Sequence, residues 1–435
     1  MRSFSHLHHL LVCTSVALPL ICTLLLVPTL KDSSPLLSSL FHHTVASAFV
    51  LRSHSHIDLA APPHHETVLV RPYMTSKTSS IPLAAVTPAL TSGVEARVKG
   101  QTVFLPRREK NLSEDPASFP QRKYHAWRWR DYKVNYRVEG DDRGTPLLLI
   151  HGFGANVNHF LYNIDALAAA GYRVYAIDLL GFGASDKPSL SYTLELFSEL
   201  LVDFIRDKSR FPGEKWVVGG NSIGGLISMM TAQTLKDDCA AVILLNSAGG
   251  LTTVRYEDLP LWGRPLWFLV QNILFSDWLG PRLFDRVRDP TNLKQTLSQV
   301  YAVKEAVTPE LMETLLGPSR DENAVSVFLR ILRGPAGPTP EEVLKDLDVP
   351  ILALWGRDDP WTPLDRGRHP GTSFPRYNPR VELQVLDGTG HCPMDERPDE
   401  VNKAIVEWLG HNEDVQKAEA FNAKTTGPNN RRAGG

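Results

Sequence analysis

The stretch Gly220-Asn221-Ser222-Ile223-Gly224 sets a serine between glycines, after an apolar run and before a helical pattern. A serine on a sharp strand-to-helix turn lifts its hydroxyl above a sheet, and the residues two before and two after it must lack bulk. Gly220 and Gly224 meet that need. A hydroxyl attacks a carbonyl readily only when a base takes its proton. Asp387-Gly388-Thr389-Gly390-His391 puts a histidine on a glycine-containing loop after the last strand-like run. Trp355-Gly356-Arg357-Asp358-Asp359-Pro360 follows the run before it and offers two carboxylates. An imidazole base needs one such carboxylate to fix its tautomer and to stabilise its protonated form. The oxyanion that develops needs N–H donors. Ile223, which follows the serine, supplies one; the loop His151-Gly152-Phe153-Gly154 supplies a second, assigned to Phe153. His151 itself reads as a support for that loop. Together these residues could carry out acyl transfer.

Other chemistries find no footing. Gly152-Phe153-Gly154 and Gly181-Phe182-Gly183 begin like a dinucleotide fingerprint, but Val157 and Asp186 stand where its third glycine would be. No P-loop and no H-E-x-x-H occurs, so neither a nucleotide cofactor nor a metal is expected. Cys13, Cys22, Cys239 and Cys392 fit no zinc spacing and no disulfide framework. Cys392, beside the candidate histidine, reads as packing. Apolar residues make up 43% of the chain, charged residues 22%, and the net charge is -2. That is the composition of a globular protein with no basic excess to attract nucleic acid.

The elements that would hold these residues are legible. Short β-branched or aromatic runs predict strands at Tyr132–Val138, Pro146–Ile150, Tyr172–Ile177, Trp216–Val218, Ala241–Leu245, Ile351–Trp355 and Val381–Leu386. Helical patterns at Phe160–Ala170, Leu194–Phe204 and Gly225–Leu235 lie between several of them. Thr339-Pro340-Glu341-Glu342 is a helix start with its cap. Strands alternating with helices imply a doubly wound, mostly parallel sheet covered on both faces, an α/β class fold whose chemistry lies beyond the strands' carboxyl ends. Residues 251–338 break the alternation with helical patterns only and predict a helical cap between two parts of the core, 124–250 and 339–410. The cap's first part is rich in Trp262, Trp267, Phe268 and Trp278, which suits a lipophilic substrate or the packing of the cap itself.

With these motifs in hand, residues 124–410 resemble the α/β-hydrolase fold of the plastid and cyanobacterial type. The resemblance is carried by Trp127-Arg128-Trp129-Arg130, His151-Gly152-Phe153-Gly154-Ala155-Asn156, residues 172–188, residues 219–225, the Asp359 turn and Gly390-His391. The chain order serine, acid, histidine is that of the fold. Family members with a G-x-x-D-x-x-x-P turn use that aspartate, and Gly356, Asp359 and Pro363 match, which favours Asp359 over Asp358. The resemblance implies a Ser222-Asp359-His391 triad and a carboxylic ester hydrolase acting through an acyl-enzyme on a lipid or phytyl-type ester. Asparagine before the nucleophile is similar to the pheophytinases and chlorophyll dephytylases, although pheophytinases place proline where this chain has His151. An acyltransferase, or a receptor or scaffold that uses the same pocket to bind, are the alternatives.

The N-terminus reads as an address. Leu10 to Leu30 is an apolar run, and Ala46-Ser47-Ala48 supplies the small-x-small pattern of a cleavage site. Residues 49–123 are rich in Ser and Thr and sparing in acid over their first half. Signal peptide 1–48 followed by transit segment 49–123 resembles the bipartite presequence of secondary-plastid algae, which implies a plastid location, with the secretory pathway or a membrane anchor as the alternative. Contact with plastid membranes follows as an expectation. The polar tail, residues 411–435, is expected to be disordered.

Overall fold

The computed structural model describes residues 71–72 and 93–426, apart from 108, 252–258, 260 and 262. The apolar run Leu10–Leu30, the Ala46-Ser47-Ala48 site and Trp262 lie outside the described residues.

The strands are β1 Arg71–Pro72, β2 Gly93–Val98, β3 Gln101–Pro106, β4 His125–Trp129, β5 Tyr132–Glu139, β6 Thr145–Ile150, β7 Tyr172–Ile177, β8 Trp216–Asn221, β9 Cys239–Leu245, β10 Ile351–Gly356 and β11 Val381–Leu386. Nine of them form one sheet in the order β1-β11-β10-β9-β8-β6-β7-β5-β4. Pairing is parallel from β1 to β7 and antiparallel at β7/β5 and β5/β4. This is the mostly parallel, helix-covered sheet that the alternation predicts. The central strands are buried on both faces, so they read as unbroken apolar runs rather than alternating ones.

Successive residues on a strand point to opposite faces, and this sorts the core in two. Leu148, Ile150, Val218, Val242 and Leu244 meet Phe197, Leu201 and Phe204 of the helix Leu194–Lys208 and Leu226 of Ile223–Leu235. Leu147, Leu149, Val217, Ile243 and Leu245 meet Ile164 and Leu167 of Leu161–Ala169 and Val401 and Ile405 of Pro398–His411. Thr339 caps Pro340–Leu344 with the reciprocal Glu342 bond that its sequence predicts.

Between β9 and the helix Pro340–Leu344 that precedes β10, the described elements are helices: Gly263–Leu274, Gly280–Val287, Pro290–Val300, Pro309–Ser319 and Ala324–Arg333, with one short 3-10 turn. Phe328 of the last of these lies 6.1 Å from Phe153, ring to ring, and so covers the loop after β6.

Two expectations need correction. Residues 49–123 are not uniformly unstructured: β2 and β3 form an antiparallel hairpin. Ala96 and Leu105 of that hairpin are buried in the second core face, and Arg97 N–H donates to Glu407 Oε1 at 3.1 Å. The hairpin shows one buried residue per strand, so its own sequence carries little signal, and its partner is the distant helix Pro398–His411. Residues 411–435 are not a wholly disordered tail: Glu413–Thr425 is a helix that buries Val415, Ala418 and Asn422. Asn422 brackets the start of β8, accepting from Lys215 N–H and donating to Lys215 O, both at 2.9 Å. The sheet also gains β4, whose alternating His125-Ala126-Trp127-Arg128-Trp129 forms an exposed edge.

Candidate active site

Ser222 sits between β8 and the helix Ile223–Leu235 with φ +56° and ψ −121°, a conformation that costs a non-glycine residue energy. Neighbouring strands hold it there. Ser222 N–H donates to Leu245 O at 3.0 Å, and Ser222 O accepts from Ala248 N–H at 2.9 Å. A Cβ on Gly220 would run into the backbone of Gly224 and Ile150, and one on Gly224 into the carbonyls of Ile150 and His151. Both glycines are therefore demanded by close approach. The serine caps a helix whose N-terminal dipole favours negative charge.

The loop after β6 packs against this turn. A Cβ built on Gly152 would stand 3.3 Å from Ser222 Cβ. His151 is fully buried, and its Nε2 accepts from Leu179 N–H at 3.1 Å. The proton must then sit on Nδ1, which donates to Gly152 O at 2.7 Å. Burial pushes the pKa of His151 down against the pull of Asp178, in keeping with a neutral structural imidazole. Among the described residues, the amides of Phe153 and Ile223 have no hydrogen-bond partner. They are two free donors beside Ser222.

The second glycine pair has a structural job. Asp178 accepts from Val157 N–H at 2.7 Å, Ala184 N–H at 2.8 Å and the Asn135 side chain at 2.8 Å. Gly183, at φ +51°, lies where any Cβ would strike that carboxylate.

His391 follows β11, and its Nδ1 lies 2.7 Å from Asp359 Oδ2. Asp359 is completely buried, and its other bonds lock its orientation. Oδ1 accepts from Trp361 N–H at 2.7 Å and Thr362 N–H at 3.1 Å; Oδ2 accepts from Asn246 Nδ2 at 2.6 Å and from the Thr362 hydroxyl. Burial alone would push the Asp359 pKa up. The neighbouring His391 charge, with the His391, Thr362 and Asn246 hydrogen bonds, outweighs it and holds the carboxyl below its ordinary value. Asp358 is exposed; its amide binds Thr389 O at 2.9 Å. Of the two acids, only Asp359 reaches the imidazole. Ser222 Oγ makes no hydrogen bond to His391 here, so the carboxylate–imidazole link is closed and the hydroxyl–imidazole link is open, as is common before substrate tightens a site. Asn221 Nδ2 ties the two loops together, donating to His391 O and to Leu245 O, each at 3.0 Å. Cys392 is buried, and burial drives its thiol pKa well up, which suits a packing role.

Sequence reasoning missed Asn246, Thr362 and Asn221 as partners in this arrangement. Asn246 carried a signal: a polar residue ends the wholly apolar β9, and asparagine tolerates the φ of +45° found there. Thr362 and Asn221 lie inside the two motifs, but nothing in their type told which backbone they would meet.

The alpha/beta hydrolase family model matches residues 147–404, a stretch that takes in the serine turn, the acid and the histidine. The chain belongs to that family. It is 28% identical over 285 residues to "Epoxide hydrolase 3" of Xenopus tropicalis, covering 64% of this chain and 74% of that one. It is 25% identical over 331 residues to "Pheophytinase, chloroplastic" of Arabidopsis thaliana, covering 64% of each. Its fold is similar to that of a thermophilic esterase from Thermogutta terrifontis, with a TM-score of 0.51, 22% identity, and coverage of 66% of this chain and 94% of that one. With relatives and fold neighbours of this kind, the protein is a hydrolase of the α/β-hydrolase fold.

Proposed function

We propose that the protein is a serine hydrolase that cleaves a carboxylic ester of a lipophilic substrate through an acyl-enzyme. One observation carries the reading: a buried carboxylate, Asp359, bonds to His391 Nδ1 at 2.7 Å, and the His391 carbonyl is tied through Asn221 to the strained turn of Ser222. Asp359 holds the proton on Nδ1, which leaves Nε2 free to act as base. Ser222 Oγ attacks the acyl carbon as Nε2 takes its proton, and the Phe153 and Ile223 amides receive the oxyanion. The intermediate collapses as the protonated imidazole gives its proton to the leaving alcohol. Water, deprotonated by His391, then releases the acid and restores Ser222. A serine at this position sets the chain apart from epoxide hydrolases, which the fold family equips with an aspartate nucleophile.

Three observations support a lipophilic substrate. Phe153 packs on Phe182 and Phe328 over the loop after β6. Trp361, half-buried, lies 5.3 Å from the His391 ring. Leu261, Phe268, Ile273 and Trp278 are exposed on the helical segment, an apolar surface suited to meeting a membrane-borne ester. The likeness to a chloroplastic pheophytinase keeps a phytyl-type ester among the candidates. Hydrolysis of p-nitrophenyl acyl esters of graded length tests this. Turnover that rises with chain length and vanishes in Ser222→Ala supports it; equal turnover by parent and Ser222→Ala refutes it. The plastid location is tested by fusing residues 1–92 to a fluorescent protein: plastid fluorescence is expected, and secretion would refute it.

A further inference from the structure

Glu396 is buried, four residues past the end of the Gly390–Cys392 loop segment, and its carboxylate gathers four backbone amides. Oε1 accepts from Cys392 N–H at 3.1 Å. Oε2 accepts from Gly390 N–H at 3.0 Å, Ala302 N–H at 2.7 Å and Val303 N–H at 3.0 Å. Two of these amides flank His391. The other two belong to the segment just past the helix Pro290–Val300. His391 N–H itself donates to Val300 O at 3.1 Å, and a Cβ on Gly390 would meet Val300 O, so the loop is pressed against that segment. Nothing in the sequence singles out this glutamate. An acid in a four-residue helix, Pro393–Glu396, looks like a surface turn.

A buried carboxylate is costly unless its lone pairs are filled. Here the amides fill them, and each amide so bound is fixed in direction, because bonds to a charged acceptor are short and strong. The main chain on both sides of His391 is therefore set by one side chain. That side chain is anchored in turn by the 302–303 amides of the helical segment.

We propose that Glu396 is the positioning residue for His391, and that it ties the placement of the imidazole to the docking of residues 300–303. The inference rests on the reading of His391 as the base, and it predicts that the helical segment and the base move as one unit. A carboxamide in place of the carboxylate accepts through one oxygen only. If that oxygen serves the three Oε2 donors, the new NH2 faces Cys392 N–H; in the other orientation it faces the remaining three.

The test is Glu396→Gln in the full chain, with Asn422→Ala as a destabilised control remote from the site. At a fixed interval below each variant's melting temperature, Glu396→Gln should lose about 10- to 100-fold in kcat on a p-nitrophenyl ester while KM changes by less than about threefold, the penalty expected of a base displaced by a fraction of an ångström. Asn422→Ala should keep the parent kcat. A readout that does not depend on turnover accompanies it: the low-field proton NMR signal of His391 Nδ1–H bound to Asp359. It should be present in the parent and in Ser222→Ala, and lost or shifted in Glu396→Gln. If Glu396→Gln keeps both the parent kcat and the parent resonance, Glu396 only stabilises the fold and the inference is overturned. If Ser222→Ala remains active, the reading of the site fails instead, and the resonance alone decides the role of Glu396. Should Glu396→Gln fail to fold, Val303→Pro takes its place. It removes one donor from the helical side at a φ of −84° that proline accepts. Reduced kcat with a lost or shifted resonance is again expected, and parent values of both would again overturn the inference.

Discussion

At the scale of single residues, the site is a set of buried polar groups that accept strain or desolvation because neighbours compensate it. Asn246 shows this most clearly. It holds a φ of +45°, accepts from Gly356 N–H at 3.0 Å and donates to Asp359 at 2.6 Å. Asn246→Ala should lose both bonds and also meet the left-handed backbone penalty of about 1 kcal/mol. Asn246→Gly should lose the bonds only. Thermal melts of the two should therefore differ, with glycine the more stable, while both lower kcat by about tenfold. Equal kcat in Asn246→Gly and parent would show that the Asp359 bond does not matter to turnover. A second residue gives a pH signature. Burial, opposed by Lys110, raises the Asp395 pKa to about 6. A carboxyl whose folded value lies above its unfolded value stabilises fully below the unfolded pKa, and that contribution is lost as pH rises through the folded one. Stability should thus decline between about pH 4 and pH 7, by as much as about 3 kcal/mol from this group. Asp395→Asn, which mimics the neutral acid, should flatten that slope. Chemical denaturation across this range checks it, and an unchanged slope would contradict the assignment.

At the scale of elements, the loops after β6, β8, β10 and β11 hold the residues of the proposed site together because the parallel strands deliver their carboxyl ends to one rim. The strands β5 to β11 and the helices Leu161–Ala169, Leu194–Lys208 and Ile223–Leu235 were legible, since each is apolar along its length or on one face and that signal is local; β4 and the helix Pro398–His411 were not read. The serine turn was legible for the same reason, since Gly220 and Gly224 are consequences of backbone approach that leave a mark in the sequence. The hairpin of β2 and β3 and the helix Glu413–Thr425 were not. Each buries only two or three residues, against elements distant along the chain, so neither shows enough apolar periodicity by itself. Asn422 makes the point testable. It satisfies both Lys215 backbone groups from the last described helix, so Asn422→Ala leaves a donor and an acceptor short of partners. A loss of about 1–3 kcal/mol with unchanged kcat is expected from a melt and an ester assay. No loss would mean that the two Asn422 bonds add nothing to stability.

For the molecule as a whole, the folded domain reaches well upstream of Tyr124. The β2–β3 hairpin covers the helices Leu161–Ala169 and Pro398–His411, the latter in the sequence stretch that follows the histidine loop. Lys99 pairs with Glu419 at 2.7 Å, so the hairpin meets the last described helix. A chain starting at Gly93 should melt as one cooperative unit. One starting at Tyr124 should melt lower and expose apolar surface to a hydrophobic dye; equal melting would contradict the hairpin's place in the core. The proposed triad was legible in part: motif spacing named Ser222 and His391, while the choice between Asp358 and Asp359 came from resemblance. The geometry separates the two acids, since Asp359 is buried on the imidazole and Asp358 faces solvent.

Whether Ser222 is an activated nucleophile is decided by mass spectrometry of the protein after treatment with a fluorophosphonate. A single adduct on the peptide carrying Ser222 is predicted, with its rate of formation cut by about 10⁴ in Asp359→Asn, where the tautomer of His391 is no longer enforced. An adduct on another residue, or labelling of Ser222 at the same rate in Asp359→Asn and in the parent, would contradict that role.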